Sequence, residues 1–117
     1  VLMGDWESLK GEGDAAYRAN RFDAAVKQYG AALVAAADPA SDCASRHVLL
    51  SNRAAARLAL GDFAAALRDA EACVACKPQW AKGFGRKGAA LFGLREFSRA
   101  SIAYQAVSFM LFFISII

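Results

Sequence analysis

The amino-acid sequence predicts an all-α protein made of three similar helix–turn–helix units, with six helices in total. Of its 117 residues, 28 are Ala, the residue with the highest intrinsic helix propensity, and only 2 are Pro. Apolar residues make up 57% of the chain and charged residues 21%, a composition typical of one folded domain and not of a disordered segment. An internal repeat then sets the number and order of the helices.

The repeat is clearest in the second helix of each unit, where an aromatic residue is followed three positions later by Ala. The three pairs are Phe22 and Ala25, Phe63 and Ala66, and Phe97 and Ala100. The second and third of these Ala residues are 34 positions apart, whereas the first and second are 41 apart. The seven additional residues fall in the polar stretch 37–43, which contains Pro39 and is predicted to be a loop.

A first helix precedes each of these segments. These first helices are predicted over residues 6–19, 46–60 and 80–94, and they end at the turn-like pairs Asn20-Arg21, Gly61-Asp62 and Arg95-Glu96. The three units then cover approximately residues 6–39, 46–78 and 80–106 of a domain that spans residues 1–106. Residues 107–117 are predicted to extend the last helix as an apolar segment.

Small residues are found where the two helices of a unit are predicted to face each other. Gly13, Ala54 and Gly88 take this position in the first helices, and a small side chain lets two helix backbones approach closely. Aromatic residues are then expected to fill the core between consecutive units. They are Phe22, Tyr29, Phe63, Phe84, Phe97 and Tyr104.

The 34-residue period, these small residues and Pro78 at the end of the second unit resemble the tetratricopeptide-repeat (TPR) family. The resemblance covers residues 6–106 and implies a right-handed solenoid whose concave groove is lined by the first helix of each repeat. Arg57 stands where the family usually has a bulky aromatic residue or Leu. Its side chain is therefore expected to lay its aliphatic part along the core and to carry its charge out to solvent.

Polar residues of the first helices are candidates for lining that groove. Lys10 lies in the first repeat and Asn52 in the second, while Lys82 and Arg86 are four residues apart on one face of the third. Lys supplies a point charge, Arg a planar fork of donors and Asn an amide donor. Together these groups suit a carboxylate ligand.

The segments 50–56 and 77–91 resemble more specifically the carboxylate-clamp TPR domains of heat-shock co-chaperones. These domains occur in the Hsp-organising protein, the ubiquitin ligase CHIP and the TPR immunophilins. The resemblance implies a co-chaperone adaptor that binds the C-terminal Glu-Glu-Val-Asp peptide of heat-shock chaperones and has no catalytic residues. It implies that the peptide's carboxylates are held by Lys10, Asn52, Lys82 and Arg86.

Asp14 is the fifth clamp position, and here the sequence departs from the family, which has Asn. An ionised Asp can only accept hydrogen bonds, whereas Asn would donate one to the ligand. Two carboxylates about 4 Å apart repel by about 4 kcal/mol at an effective dielectric constant of 20. The total binding free energy of a complex with micromolar affinity is only about 8 kcal/mol. Asp14 is therefore expected to weaken the clamp, to change its ligand, or to bind peptide in its protonated form. The alternative is a scaffold that binds another peptide.

Nothing in the sequence indicates an enzyme. Gly83, Gly85 and Gly88 match the dinucleotide-binding pattern G-x-G-x-x-G, but no predicted strand precedes them, so the match is interpreted as coincidence. No cofactor is expected, and a net charge of +3 is too small to indicate nucleic-acid binding.

The three cysteines, Cys43, Cys73 and Cys76, are interpreted as ordinary residues of a reduced, cytoplasmic protein. Cys73 and Cys76 form a C-x-x-C pair, but a zinc site would need two more ligands, and the chain has only one His. No metal is therefore expected.

Charge is distributed unevenly along the chain. Residues 77–99 hold six basic residues against one acidic residue, which indicates an anionic partner, whereas residues 100–117 hold no charge. Three interpretations of the uncharged end remain. The first is a membrane anchor flanked by Arg95 and Arg99, which would make the protein a membrane-tethered docking receptor. The second is an apolar surface for self-association or for another partner. The third is that the segment is the product of a truncated or misread gene end.

Overall fold

The computed structural model describes residues 5–37 and 45–116, and these fold into six α-helices. In chain order the helices are α1 (Asp5–Arg18), α2 (Phe22–Ala35), α3 (Arg46–Ala59), α4 (Phe63–Cys76), α5 (Ala81–Gly93) and α6 (Phe97–Ile116). No strand occurs in these two ranges. The prediction of an all-α fold with six helices and a long last helix is therefore confirmed. The predicted loop at 37–43 and Cys43 lie, except for Ala37, outside the described residues.

The helices pack in the order of the sequence. The pairs α1–α2, α3–α4 and α5–α6 form the three units, and the contacts α2–α3 and α4–α5 stack each unit on the next. The first helices α3 and α5 also contact each other. Such nearest-neighbour stacking is the arrangement of a helical solenoid, and it brings the first helices together on one face.

The turn inside each unit has the same geometry in all three copies. Asn20, Gly61 and Arg95 each adopt the left-handed conformation, with φ of 61°, 77° and 65°. The next N–H reaches back to a carbonyl five residues earlier, at 2.8 Å from Arg21 to Ala16 in the first unit. The equivalent bonds, from Asp62 to Arg57 and from Glu96 to Leu91, are both 2.9 Å long. These are Schellman motifs, and they confirm the predicted turn positions.

The two helices of the first and third units meet at a glycine. A Cβ on Gly13 would lie 2.6 Å from Cε1 of Tyr29, and a Cβ on Gly88 would lie 2.6 Å from Cε1 of Tyr104. No real side chain tolerates so short a contact, so glycine is required for the ring to lie against the facing helix. In the second unit the equivalent Ala54 is fully buried.

Alanine fills most of the remaining core. The fully buried alanines are Ala25, Ala32, Ala54, Ala56, Ala66, Ala70 and Ala90. Each small side chain lets the neighbouring helix approach closely, so the solenoid is held by many close contacts and few bulky side chains. This packing accounts for the high Ala content of the sequence.

The expected aromatic core is wrong at two positions. Phe97 is 51% exposed and Tyr104 is 41% exposed. Tyr29, the equivalent of Tyr104 in the first repeat, is only 2% exposed. The difference arises because α3 stacks on α2, while no helix within the described ranges stacks on α6. The outer face of the last repeat therefore keeps its aromatic side chains at the surface.

The expected environment of Arg57 is also corrected. Its Nη1 donates to Oδ2 of Asp69 at 2.8 Å, and Arg53 donates to both oxygens of the same carboxylate at 2.7 and 2.9 Å. Asp69 is buried, and a buried carboxylate requires charged or hydrogen-bonding partners. The guanidinium of Arg57 therefore forms an ion pair with Asp69 between α3 and α4 instead of extending into solvent.

α6 is longer than any other described helix, with 20 residues against 13 or 14. Its side chains are buried or half-buried at intervals up to Met110, and those of residues 111–116 are exposed. Among the described helices it is the one that is long and apolar enough to cross a membrane, judged by length and composition alone.

Arg95 provides a test of the turn geometry. A left-handed backbone costs a non-glycine residue about 1–2 kcal/mol, and glycine avoids that cost at an entropic cost of about 0.5–1 kcal/mol. We expect Arg95→Gly to raise the free energy of unfolding by up to about 1 kcal/mol, measured by urea denaturation followed by circular dichroism. The control, Gly61→Ala at the equivalent position, should lower it by about 1 kcal/mol. A lower urea midpoint for Arg95→Gly would contradict the assignment.

Candidate functional site

An open pocket of about 180 Å³ lies where α1, α3 and α5 come together. Residues from all three units line it: Asp14, Tyr17, Arg18, Tyr29, Asn52, Ala55 and Arg86. Three of the five predicted clamp residues, Asp14, Asn52 and Arg86, thus share one pocket although they are up to 72 positions apart in the sequence. Stacking of the first helices on one face is what brings them together.

Lys10 is not among the lining residues, and its ammonium group is bonded to Asp14, which does line the pocket. Lys10 Nζ lies 2.8 Å from Oδ2 of Asp14, one helical turn later on α1, and both side chains are about 30% exposed. The other carboxylate oxygen, Oδ1, accepts a 2.6 Å hydrogen bond from the hydroxyl of Tyr29. Asp14 is therefore held on both oxygens by groups of the protein itself.

These contacts decide the charge of Asp14. Partial burial by itself would raise the pKa of this carboxyl group, but the hydrogen bonds from Lys10 and Tyr29 and the charges of Lys10 and Arg18 outweigh it. The pKa of Asp14 consequently lies below its ordinary value of 3.8, and the group is ionised at neutral pH. The protonated form, which is one of the three expectations for peptide binding, is therefore not the form of Asp14 in the peptide-free protein at neutral pH. Burial and the bond to Asp14 in turn raise the pKa of the Tyr29 hydroxyl well above its ordinary value.

Arg86 is fixed by the neighbouring repeat. Its Nε donates to the carbonyl oxygen of Ser51 at 3.2 Å and to the hydroxyl of Ser51 at 3.3 Å. Ser51 is fully buried on α3, next to Asn52, so the guanidinium is anchored on a rigid element. Its two terminal Nη groups have no partner within residues 5–37 and 45–116, which leaves them available for an anion in the pocket.

Lys82 lies outside this pocket. Its side chain is exposed, and Nζ sits 5.6 Å from the ring centroid of Trp80, within the range of a cation–π contact. Trp80 in turn packs edge-on against His47, with the ring centroids 4.8 Å apart. The structure therefore separates Lys82 from the pocket that contains Asn52 and Arg86.

Arg18 and Tyr29 are pocket residues that the sequence-based selection missed. Arg18 follows Asp14 by four residues on α1, so the sequence holds a ladder of alternating charge at positions 10, 14 and 18. That spacing was a usable signal. Tyr29 is on a second helix, and nothing in its local pattern indicates that its hydroxyl reaches across to α1.

The C-x-x-C pair lies in the last turn of α4, away from the pocket lining. Cys73 is buried and donates from Sγ to the carbonyl oxygen of His47 at 3.3 Å. Burial raises the pKa of this thiol to about 11, so it stays protonated and unreactive at neutral pH. Cys76 is half-buried.

Comparison with known proteins establishes the family. The chain is 41% identical over 99 residues to the Hsp70-Hsp90 organizing protein of Triticum aestivum, an alignment that covers 85% of this chain and 16% of that relative. It superposes on the Sgt2 TPR domain from Aspergillus fumigatus with a TM-score of 0.81 and 32% identity, covering 94% of this chain and 68% of that one. The chain belongs to the tetratricopeptide-repeat family. No protein-family model matches it.

A second similar structure is a TPR domain with a bound peptide. The first TPR of Spaghetti (RPAP3), bound to the HSP90 peptide SRMEEVD, superposes on this TPR domain with a TM-score of 0.81. The two are 30% identical, and the match covers 94% of this chain and 82% of that one. Against the curated relative from Triticum aestivum, however, the TPR domain spans only 16% of the length.

The Tyr29 hydroxyl gives a test of the network around Asp14. We expect Tyr29→Phe to raise the pKa of Asp14 towards its ordinary value, because one donor to the carboxylate is lost while Lys10 remains. Since a depressed carboxyl pKa stabilises the folded state above that pKa, the variant should also lose about 1 kcal/mol of stability at pH 7.

The pKa is measured by NMR titration of the Asp14 carboxyl carbon and the stability by urea denaturation. Tyr17→Phe is the matched control, since Tyr17 lines the same pocket but makes no hydrogen bond to Asp14 within the described chain. An unchanged Asp14 titration in Tyr29→Phe would show that the 2.6 Å bond is not present in solution.

Proposed function

We propose that this TPR domain is a cytoplasmic, non-enzymatic co-chaperone adaptor module that binds the Glu-Glu-Val-Asp-type C-terminal peptide of a heat-shock chaperone. The observation that carries the proposal is the pocket shared by Asn52 and Arg86, in which an amide donor and an anchored guanidinium lie together. The similar TPR of Spaghetti is bound to an HSP90 peptide whose sequence ends in EEVD, and the wheat relative is an Hsp70-Hsp90 organizing protein.

Each candidate residue has a separate role in this proposal. The Arg86 Nη groups form a fork that pairs with the terminal carboxylate, and the Asn52 amide donates to the same group. Lys82, which is exposed on the first turn of α5, binds a second carboxylate of the peptide as a point charge. Arg18 adds a positive charge on the α1 side of the pocket.

Asp14 and Lys10 act as a neutral pair in this arrangement. Because the ammonium of Lys10 is 2.8 Å from Asp14, its charge offsets that of the carboxylate and is withdrawn from the ligand. The remaining charge of the pocket comes from Arg18 and Arg86 and is positive. A carboxylate ligand is therefore still attracted, but with one cation fewer than a clamp that has Asn at position 14.

The terminal carboxylate is tested first. Calorimetry should show binding of a peptide ending in Glu-Glu-Val-Asp and at least about tenfold weaker binding of its C-terminal amide, since a charge-assisted hydrogen bond contributes about 1.5–3 kcal/mol. Arg86→Ala and Lys82→Glu should each weaken the binding of the free-acid peptide by a similar factor. Lys27→Glu, an exposed lysine on α2, is the charge-matched control for Lys82→Glu. Equal affinity for acid and amide would remove the carboxylate argument.

The fifth position is tested by Asp14→Asn. This change removes the repulsion, restores an amide donor and releases Lys10, so peptide affinity should rise by about tenfold or more. Glu12→Gln is the control, because it removes the same charge from an exposed position on α1 without touching the pocket.

A weaker complex for Asp14→Asn would instead favour the alternative function, a scaffold for a different peptide. Asp14 would then contribute to the complex as an acceptor, and its ligand would present a donor or a cation to the pocket.

A further inference from the structure

One face of α1 carries two cations, and the structure uses only one of them. Lys10, Asp14 and Arg18 follow each other at intervals of four residues, so the carboxylate has a positive side chain one turn away on either side. Lys10 Nζ lies 2.8 Å from Oδ2 of Asp14. Arg18 makes no hydrogen bond or ion pair with any residue in the ranges 5–37 and 45–116. Yet Arg18 lines the pocket, and Lys10 does not.

The Lys10–Asp14 pair runs opposite to the orientation that an isolated helix favours. At a spacing of four residues an acid that precedes a base is the better arrangement, which would pair Asp14 with Arg18. Tyr29 contributes to the different outcome, because its hydroxyl binds Oδ1 of Asp14 at 2.6 Å while Lys10 binds Oδ2. Both oxygens of the carboxylate thus have a partner, and the donors of Arg18 stay unused.

The unused guanidinium of Arg18 has a counterpart on another wall of the pocket. Arg86 comes from α5, and Ser51 binds only its Nε, so the two Nη groups have no partner in the described part of the chain. The amide of Asn52, from α3, lies in the same lining. Two guanidinium groups with unused donors in one pocket of about 180 Å³ suit a carboxylate, which each of them can pair in a planar fork.

The cation that α1 offers to the pocket is therefore displaced along the helix. Lys10 and Arg18 are eight residues apart, which is about 12 Å of α-helix. Arg18 is near enough to the centre of the pocket for its charge to help lower the pKa of Asp14 without a direct bond. The Lys10 ammonium, by contrast, is engaged by its neighbour before any ligand arrives.

We propose that Arg18 takes the place of Lys10 as the α1 cation that binds the terminal carboxylate of the ligand, and that Asp14 causes this exchange by holding Lys10. The inference rests on the proposed function, since it names a further specificity-determining residue of the same pocket. Arg86, anchored by Ser51, fixes the position of the carboxylate. Arg18 is exposed on α1 and pairs with the same group from the first repeat.

A cycle between Arg18 and the peptide terminus tests this assignment. Calorimetry measures the affinity of a peptide ending in Glu-Glu-Val-Asp and of its C-terminal amide for each variant. Arg18→Gln should weaken binding of the free-acid peptide at least about tenfold and binding of the amide less than about threefold, because the amide lacks the terminal charge. Arg18→Lys should keep part of the acid–amide difference through its charge. The control is Arg21→Gln, the same change at an exposed position outside the pocket lining, and it should leave both affinities unchanged.

A second background tests the role of Asp14 in the exchange. Asp14→Asn releases the ammonium of Lys10, so Arg18→Gln should weaken free-acid binding less than about threefold in that background. Lys10→Gln should then weaken it about tenfold. Urea denaturation of each variant separates these effects from unfolding. Arg18→Gln should keep the wild-type midpoint, because Arg18 is exposed and has no bonded partner among the described residues.

The outcomes separate this proposal from the proposed function. If the wild type binds the acid and the amide equally, both proposals are overturned. If the wild type distinguishes them and Arg18→Gln distinguishes them to the same extent, only the assignment of Arg18 is overturned. An equal cost of Arg18→Gln in the wild-type and Asp14→Asn backgrounds would overturn the exchange, because Lys10 would then be no substitute for Arg18.

Discussion

The contact between the Tyr29 ring and Gly13 sets the geometry on which the first repeat and its pocket depend. Because Gly13 has no Cβ, the ring lies directly against α1 and its hydroxyl reaches Asp14 at 2.6 Å. That bond helps to keep Asp14 ionised, and the ionised carboxylate holds Lys10. A packing requirement at one glycine thus determines the position of two charges, and the same glycine–tyrosine contact recurs between Gly88 and Tyr104.

The pocket that we propose as an anion site contains an acidic residue whose charge is compensated by its neighbours. Asp14 is surrounded by Lys10, Tyr29 and Arg18, so its charge is compensated before any ligand arrives. Arg86 is oriented through Nε by Ser51 from the next repeat and keeps its remaining donors for the pocket. The positive character of the site therefore rests on guanidinium groups contributed by the first and third repeats, joined by the amide of the second.

The fold could be predicted from the sequence because its information is local and repeated. The aromatic–Ala pairs, the turn residues and the small positions recur at one period, and each reflects a contact between neighbouring helices. The site was less predictable. Asn52 and Arg86 follow from their spacing, but one of the two partners of Asp14 is Tyr29, whose hydroxyl comes from another helix. Arg57 was misjudged for the same reason, since its partner Asp69 lies on α4. The burial of Phe97 and Tyr104 depends on a further layer, which a pattern within the repeat does not reveal.

The glycines of α5 have a consequence for the motion of the site. Close contacts explain three of them, of Gly83 with Cys73, of Gly88 with Tyr104 and of Gly93 with Phe63, whereas Gly85 faces open space. Each glycine in a helix interior weakens the helix by about 1 kcal/mol relative to Ala, so α5, with three interior glycines, opens more easily than α3, which has none. Arg86, the α5 residue of the pocket lining, is thus carried by a helix that its glycines weaken. A bound anion that bridges α1 and α5 would stiffen α5, and its affinity would carry the entropic cost of that ordering.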